Sequence, residues 1–308
     1  MPELVDWIRR FAVRGVFWRQ YLDWALANVP VYFLPLLMWF WTTFFFFFAA
    51  PARRAVVSNL SVIQPKSGWL IKRLRAWRTL YNFAWTITEG SHYKLNKSRF
   101  SYEVEGADAL ERLASAKSAI VLTAHMGNYD LGAAIFAEKF RREIRMVRAL
   151  EPDRQTARHL DETLKKTGSG AVRVDYIIDP SLLSFDLLRA LRENEIVSIQ
   201  GDRVVGDVAY SPAQLFGQEV HLPTGPFILA QIAEAPIFPL FIVRLGYRKY
   251  KIIVRPPIIC ARRSGAREED VAAALQQWSA VLEDVIRRHW DQWFAFVPTF
   301  LKNERCVA

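Results

Sequence analysis

Cysteine is scarce in this chain, and the absences go beyond cysteine. Across 308 residues only Cys260 and Cys306 occur, far apart and in no pairing pattern, which excludes a disulfide scaffold and a cysteine zinc site. The five histidines form no His-x-His or His-Glu-x-x-His pair, so a metal hydrolase lacks its ligands. No Gly-x-Ser-x-Gly elbow is present, and with it goes the serine nucleophile of that hydrolase type. There is no Gly-rich phosphate loop and no Gly-x-Gly-x-x-Gly fingerprint, so nucleotide binding of either kind has no sequence support. Internal repeats are missing too. Acids are short relative to bases: 31 against 41, for a net charge of +10 and a pI near 9.7. Such a balance suits an acidic partner, whether nucleic acid, anionic lipid or an acidic carrier protein.

What is abundant is apolar and aromatic surface. Hydrophobic residues make up 52% of the chain, enough for a sizeable core and an appendage. Residues 29–50 carry no charge and include five consecutive phenylalanines, Phe44 to Phe48. The run is long enough to cross a hydrocarbon layer of about 30 Å as a helix, and it lacks the small-residue pattern of a cleaved signal. Core helices rarely carry such a run, so membrane insertion is expected. Arg9, Arg10, Arg14 and Arg19 precede it, and Arg53, Arg54 and Lys66 follow it, so the positive-inside rule gives no orientation. Between residues 51 and 99 the only acid is Glu89, among ten bases interleaved with Trp69, Trp77 and Trp85. Bases beside tryptophans on a helix suit an anionic lipid surface. Nucleic acid is the weaker reading, because no recognition motif accompanies the charge. Three segments follow: a membrane anchor over 1–55, basic amphipathic membrane-surface helices over 56–100, and an α/β unit over 101–308.

In that last unit, strand-like runs at 119–123, 143–147, 172–178, 196–200, 237–243 and 250–255 alternate with helix-like runs at 129–141, 153–167, 180–193, 225–234 and 267–290. Loops fall at 165–170 and 261–265. This alternation predicts an α/β fold with a largely parallel central sheet flanked by helices.

The chemistry-bearing residues cluster at strand ends. His125 follows the first strand by two residues, and Asp130 lies across a turn containing Gly127 and the N-cap candidate Asn128. Five residues apart, the two cannot share one face of a straight helix. Across a turn the carboxylate is expected to accept the Nδ1–H and leave Nε2 free as a base. A histidine at a strand end and an acid in a helix's first turn each have a purely structural explanation. Arg148 follows the second strand, however, and Asp202 and Arg203 follow the strand at 196–200. In an open parallel sheet, ligands bind beyond these carboxyl ends. Alone, Arg148 or Asp202–Arg203 reads as a surface ion pair; their convergence favours a site. His92 and His289 read as surface or interfacial residues, His159 as an exposed helix position, and His221 as part of a loop leading into a helix.

With these residues in place, His125-Met-Gly-Asn-Tyr-Asp130 resembles the His-x4-Asp motif of the glycerolipid acyltransferase superfamily. The whole pattern is similar to its lipid A late-acyltransferase branch, which includes mycobacterial phosphatidylinositol mannoside acyltransferases. Arg148 falls where that branch has an arginine, and Gln200-Gly-Asp-Arg203 resembles its Asp-x-Asp block. The stretch from Phe216 to Pro226 resembles the loop before its Gly-Pro helix, and Ala235 to Leu240 its proline-bearing strand. The Phe-Pro-Glu-Gly-Thr block of glycerol-phosphate acyltransferases is absent, which argues against a lysophosphatidate substrate.

The resemblance implies a bacterial inner-membrane O-acyltransferase of lipid A and lipopolysaccharide biosynthesis, its catalytic unit on the cytoplasmic face. It would carry an acyl chain from acyl carrier protein or coenzyme A thioester to a glycolipid hydroxyl, with no metal or other cofactor. It implies catalysis by His125, Asp130 and Arg148, the last aided by backbone N–H groups of the Gly127–Asn128 turn. Gly127, Asn128, Asp202, Arg203, Thr224 and Gly225 would contact substrate. The alternatives are a non-catalytic membrane-bound binder of lipid or acyl carrier, and a lipid hydrolase.

Overall fold

The computed structural model describes residues 24–25, 28–95, 100–149, 172–260 and 267–300. The expected helix at 153–167 with His159, both expected loops, Cys306 and the basic stretch before residue 24 lie outside them.

The apolar run becomes a short 3-10 turn, Val31–Phe33, and helix α1, Leu34–Phe48. The stretch Val31–Phe48 is long and apolar enough to cross a membrane, and only 22% of it is buried. Backbone rotation at Ala49, ahead of Pro51, ends α1, and helix α2 spans Ala50–Ile63. Helix α3, Trp69–Leu95, is the basic aromatic segment.

The α/β unit follows as β1 (Ser101–Glu105), α4 (Ala107–Ser115), β2 (Ala119–Thr123), α5 (Tyr129–Phe140), β3 (Ile144–Ala149), β4 (Val172–Ile177), α6 (Pro180–Arg192) and β5 (Ile196–Gln200). A hairpin of β6 (Tyr210–Leu215) and β7 (Gln218–Pro223) then leads to α7 (Gly225–Ala233), β8 (Ile237–Gly246), β9 (Lys249–Val254) and α8 (Arg267–Arg288). Seven strands form one sheet in the order β1-β9-β8-β2-β5-β3-β4. Strands β8, β2, β5, β3 and β4 are parallel, while β9 turns back antiparallel to β8 and carries β1 alongside it.

Burial of both sheet faces explains why the central strands read as unbroken apolar runs. On β2, Ala119 and Val121 face a core shared with Leu113 of α4 and Leu131 and Ile135 of α5. Ile120 and Leu122 face the opposite core, with Leu187 of α6, Phe227 of α7 and Trp278 of α8. Side-chain alternation on a strand places the two sets on opposite faces.

Three elements depart from the sequence reading. Strand β1 has two acids in five residues and sits exposed at the sheet edge, so its pattern carries no core signal. The hairpin places His221 within β7, stacked on Tyr210 at 4.5 Å, rather than in a loop. Pro212 and Pro223 mask these strands, and a two-stranded ribbon tolerates them because it lies at an edge. Its turn is made by Phe216 and Gly217 at φ 53° and 69°, the paired left-handed geometry that suits hairpins. Strand β3 extends to Ala149, so Arg148 is a strand residue rather than one beyond the strand.

The lone acid of the basic stretch has a structural role. Glu89 is fully buried, accepts the Arg248 N–H at 2.9 Å and the Tyr250 hydroxyl, and pairs with the Arg244 guanidinium at 3.1 Å. It thereby fastens α3 to the β8–β9 hairpin. Burial and the Glu89 charge push the Tyr250 hydroxyl well above its ordinary pKa, so it stays protonated and donates to Glu89 while accepting the Asn128 amide at 3.5 Å. Removing one partner of a buried pair leaves the other charge uncompensated. Glu89→Ala is therefore expected to cost about 3–5 kcal/mol in urea unfolding, and Glu89→Gln, which keeps an acceptor, clearly less.

Candidate active site

The sheet register brings the site together. Strands β2 and β5 pair with Thr123 opposite Gln200, and the ladder continues as the Gly201 N–H donates to the Thr123 carbonyl at 2.9 Å. His125 and Asp202 each lie two residues beyond these partners, so the parallel register sets them side by side at the carboxyl edge. The His125 Nδ1 and Asp202 Oδ1 are 2.7 Å apart. On the other side of the ring, the Arg203 guanidinium lies 2.9 Å from Nε2. A guanidinium donates and cannot accept. Nε2 therefore carries the lone pair, and the ring proton sits on Nδ1, donated to Asp202.

Asp202 is completely enclosed. Its second oxygen accepts the Trp293 indole N–H at 2.9 Å, and its side chain is 1% exposed against 15% for His125. Burial alone would push this carboxyl up. The His125 ring, Arg203 and the indole N–H outweigh burial and hold it at about 2. Asp202 thus stays ionised while the imidazole edge remains reachable from outside.

The structure corrects the expected partner of His125. Asp130, in the first turn of α5, pairs with Arg148 on β3. The helix start carries the Asp130 carboxylate toward β3, and register assigns the histidine to Asp202. Arg148 is pushed to a still higher pKa: burial opposes its charge, but Asp130 and the neighbouring tyrosines outweigh that. Tyr129 lies between the two groups, its ring 5.9 Å from the His125 ring and its hydroxyl bonded to Gln200. Burial and Asp130 raise its pKa to about 12, so the hydroxyl stays neutral.

The backbone of the turn is already committed. Gly127 N–H donates to the Gln292 carbonyl at 2.9 Å and Asn128 N–H to the Ile242 carbonyl at 3.2 Å. The expectation that these two amides meet an oxyanion is therefore overturned. The turn is gripped so closely that a Cβ on Gly127, at φ +53°, would lie 1.7 Å from the Ile242 carbonyl oxygen. Asn128 is the expected N-cap, accepting the Leu131 N–H at 3.2 Å, while its amide donates to the Thr86 carbonyl of α3 at 3.2 Å. Phe294 N–H donates to the His125 carbonyl at 2.7 Å, so the segment after α8 clasps the turn from below.

Thr224 and Gly225 begin α7, with Thr224 N–H bonded to the Ala209 carbonyl at 3.0 Å. The Thr224 side chain makes no capping bond, and among the described residues neither joins the His125 hydrogen-bond network. The residue missed from sequence is Trp293. Its contact with Asp202 spans 91 positions, and no local pattern distinguishes it from the neighbouring Trp290.

A buried anion, a neutral imidazole with its base nitrogen outward and a guanidinium at that nitrogen form a general-base arrangement at a sheet edge. Comparison with known sequences gives the family. The sequence model of the family described as bacterial lipid A biosynthesis acyltransferase matches residues 9–302, whereas no curated protein matches the chain. The match runs from the stretch before the apolar helix to beyond Trp293, so the apolar helix, the sheet and the edge bearing His125 all fall within it, and the chain belongs to the bacterial lipid A biosynthesis acyltransferase family.

Proposed function

We propose that this acyltransferase is membrane-bound and moves a fatty acyl chain from an acyl thioester, on acyl carrier protein or coenzyme A, to a hydroxyl of a lipid A-type glycolipid, with His125 as the base. The reading rests chiefly on the line Asp202–His125–Arg203. Residues 101–308 serve as the acyltransferase unit, 1–55 as the anchor and 56–100 as its basic membrane-facing layer. The thioester supply places the catalytic unit on the cytoplasmic face of the inner membrane, where an acidic carrier meets a chain of net charge +10.

The acceptor hydroxyl replaces Arg203 at Nε2 and gives its proton to the ring as its oxygen attacks the thioester carbonyl. Asp202 stabilises the imidazolium. With both turn amides engaged, the developing oxyanion is met by side chains, and the displaced Arg203 guanidinium is the cation nearest the reacting oxygen. Collapse breaks the carbon–sulfur bond, and the imidazolium protonates the departing thiolate. Ester and free thiol result, with no covalent enzyme intermediate. The Asp130–Arg148 pair borders this space beside Tyr129 and positions substrate.

Four substitutions test these roles. His125→Ala in folded, membrane-bound protein is expected to lose acyl transfer by on the order of 10³-fold or more; full activity would reject the base assignment. Asp202→Asn is expected to fall comparably in kcat at every pH from about 5 to 9, because the carboxylate it replaces does not titrate in that range. A carboxyl held low stabilises the folded state above its ordinary pKa of about 4, and that contribution is lost as pH falls toward about 2. The stability gap between wild type and Asp202→Asn, read by thermal unfolding, therefore narrows over this window. Arg203→Lys is expected to lower kcat about 10²-fold with little change in KM, while Arg148→Lys raises KM more than it lowers kcat.

A further inference from the structure

Helix α1 meets the rest of the protein at both of its ends. Near its start, Leu34 and Met38 cluster with Trp85 of α3 and with Tyr247 of the β8–β9 turn. Near its finish, Phe46 clusters with Leu60 of α2, Ala76 of α3 and, from the segment behind α8, Trp290 and Phe296. Between them the Trp77 indole N–H donates to Thr43 at 3.2 Å. Residues 34, 43 and 46 thus meet 85, 77 and 76 in turn, so α1 runs antiparallel along α3. Helix α2 then returns to the α/β unit, where the Asn59 amide donates to the Ala295 and Val297 carbonyls at 3.1 and 2.9 Å.

A helix that crosses a hydrocarbon layer of about 30 Å carries its ends to opposite faces. A unit lying on one face cannot touch both ends. Crossing would also draw α3 into lipid beside α1, with Arg75, Arg78 and the buried Glu89. We propose that α1 lies within the plane of a single leaflet, and that the chain enters the membrane from, and returns to, the side that holds the α/β unit. This refines the membrane-bound reading above and rests on it.

The surface fits that occupant. Leu34, Met38, Thr42 and Phe46, spaced four apart, are buried against the protein. The opposite stripe, Leu36, Trp39, Phe40, Phe47 and Phe48, is exposed. Exposed Trp69, Leu70 and Leu74, on the first turns of α3, continue the patch beyond the end of α1. Cations rim it: Arg53 donates to the Phe46 and Phe47 carbonyls, and Arg73 lies over the Trp69 ring at 4.7 Å. Apolar aromatics inside a basic border describe a helix seated at the headgroup–acyl boundary of anionic lipid. The same geometry accounts for the charges flanking the apolar run. Arg9, Arg10, Arg14 and Arg19 before it and Arg53, Arg54 and Lys66 after it contradict one another for a crossing helix, yet agree if both flanks face one anionic surface.

The test is made on the full chain in native membranes, with one epitope tag before residue 1 and another after residue 308. Protease is added to sealed inverted and right-side-out vesicles. Both tags are expected to be cleaved in the inverted vesicles and both protected in the other orientation. Tags cleaved from opposite sides would overturn the in-plane placement and leave the membrane-bound reading standing. Failure of the chain to sediment with membranes at all would sink both. In a second measurement, Phe40→Ser combined with Phe47→Ser is expected to weaken binding to vesicles of phosphatidylglycerol and phosphatidylethanolamine by about tenfold or more, with unchanged circular dichroism. Undiminished binding would remove the exposed stripe from the contact.

Discussion

A single parallel register, Thr123 against Gln200, decides the chemistry of this protein. It brings the ends of β2 and β5 level, and the second residue past each end is a histidine on one strand and an aspartate on the other. The resulting 2.7 Å contact fixes the ring proton on Nδ1 and turns Nε2 outward. The other features of the site serve this contact. Trp293 fills the second oxygen of Asp202, Gly127 permits the close turn, and Asn128 holds the start of α5. Because Asp202 is buried and doubly bonded, its charge does not depend on solvent, and His125 keeps a constant partner across the ordinary pH range.

The Asp130–Arg148 pair shows how a local motif can mislead about geometry while pointing to the right place. Sequence proximity favours His125 with Asp130, since both flank one turn. Strand neighbours sit about 4.8 Å apart, however, and β5 lies directly beside β2. A residue 77 positions away is thus nearer than one five positions away. Asp130 still borders the site through Tyr129, with its charge spent on Arg148. Two acid–base pairs stand at one edge, and register sorts which acid serves which base.

Much of the α/β unit was legible in the sequence because its central strands are buried on both faces. The apolar runs at 119–123 and 196–200 and the helix signals at 129, 180 and 225 match the observed elements closely. The polar edge strand β1 and the proline-bearing β6–β7 hairpin were not, since neither carries the periodicity that burial imposes. At the site, His125 and the residues after each strand were readable from position alone. The Asp202 partnership, the clasp by residues 292–294 and the engaged amides of the turn were not. Each is a contact between distant segments, and sequence encodes it only through a register that becomes visible when strands are aligned. Glu89 was conspicuous as an isolated acid, but its role needed the β8–β9 hairpin to be seen beside α3.

Asn128 has one further consequence. Its side chain spans two structures at once, the amide bonded to Thr86 on α3 and the oxygen bonded to Leu131 on α5. The same α3 presents Trp69 and Leu70 at its far end. At 1.5 Å per residue, its 27 residues form a rod of about 40 Å. The loop bearing the histidine is thus tied by one side chain to a rod of that length. One asparagine therefore joins the seating of that long helix to the turn that carries His125.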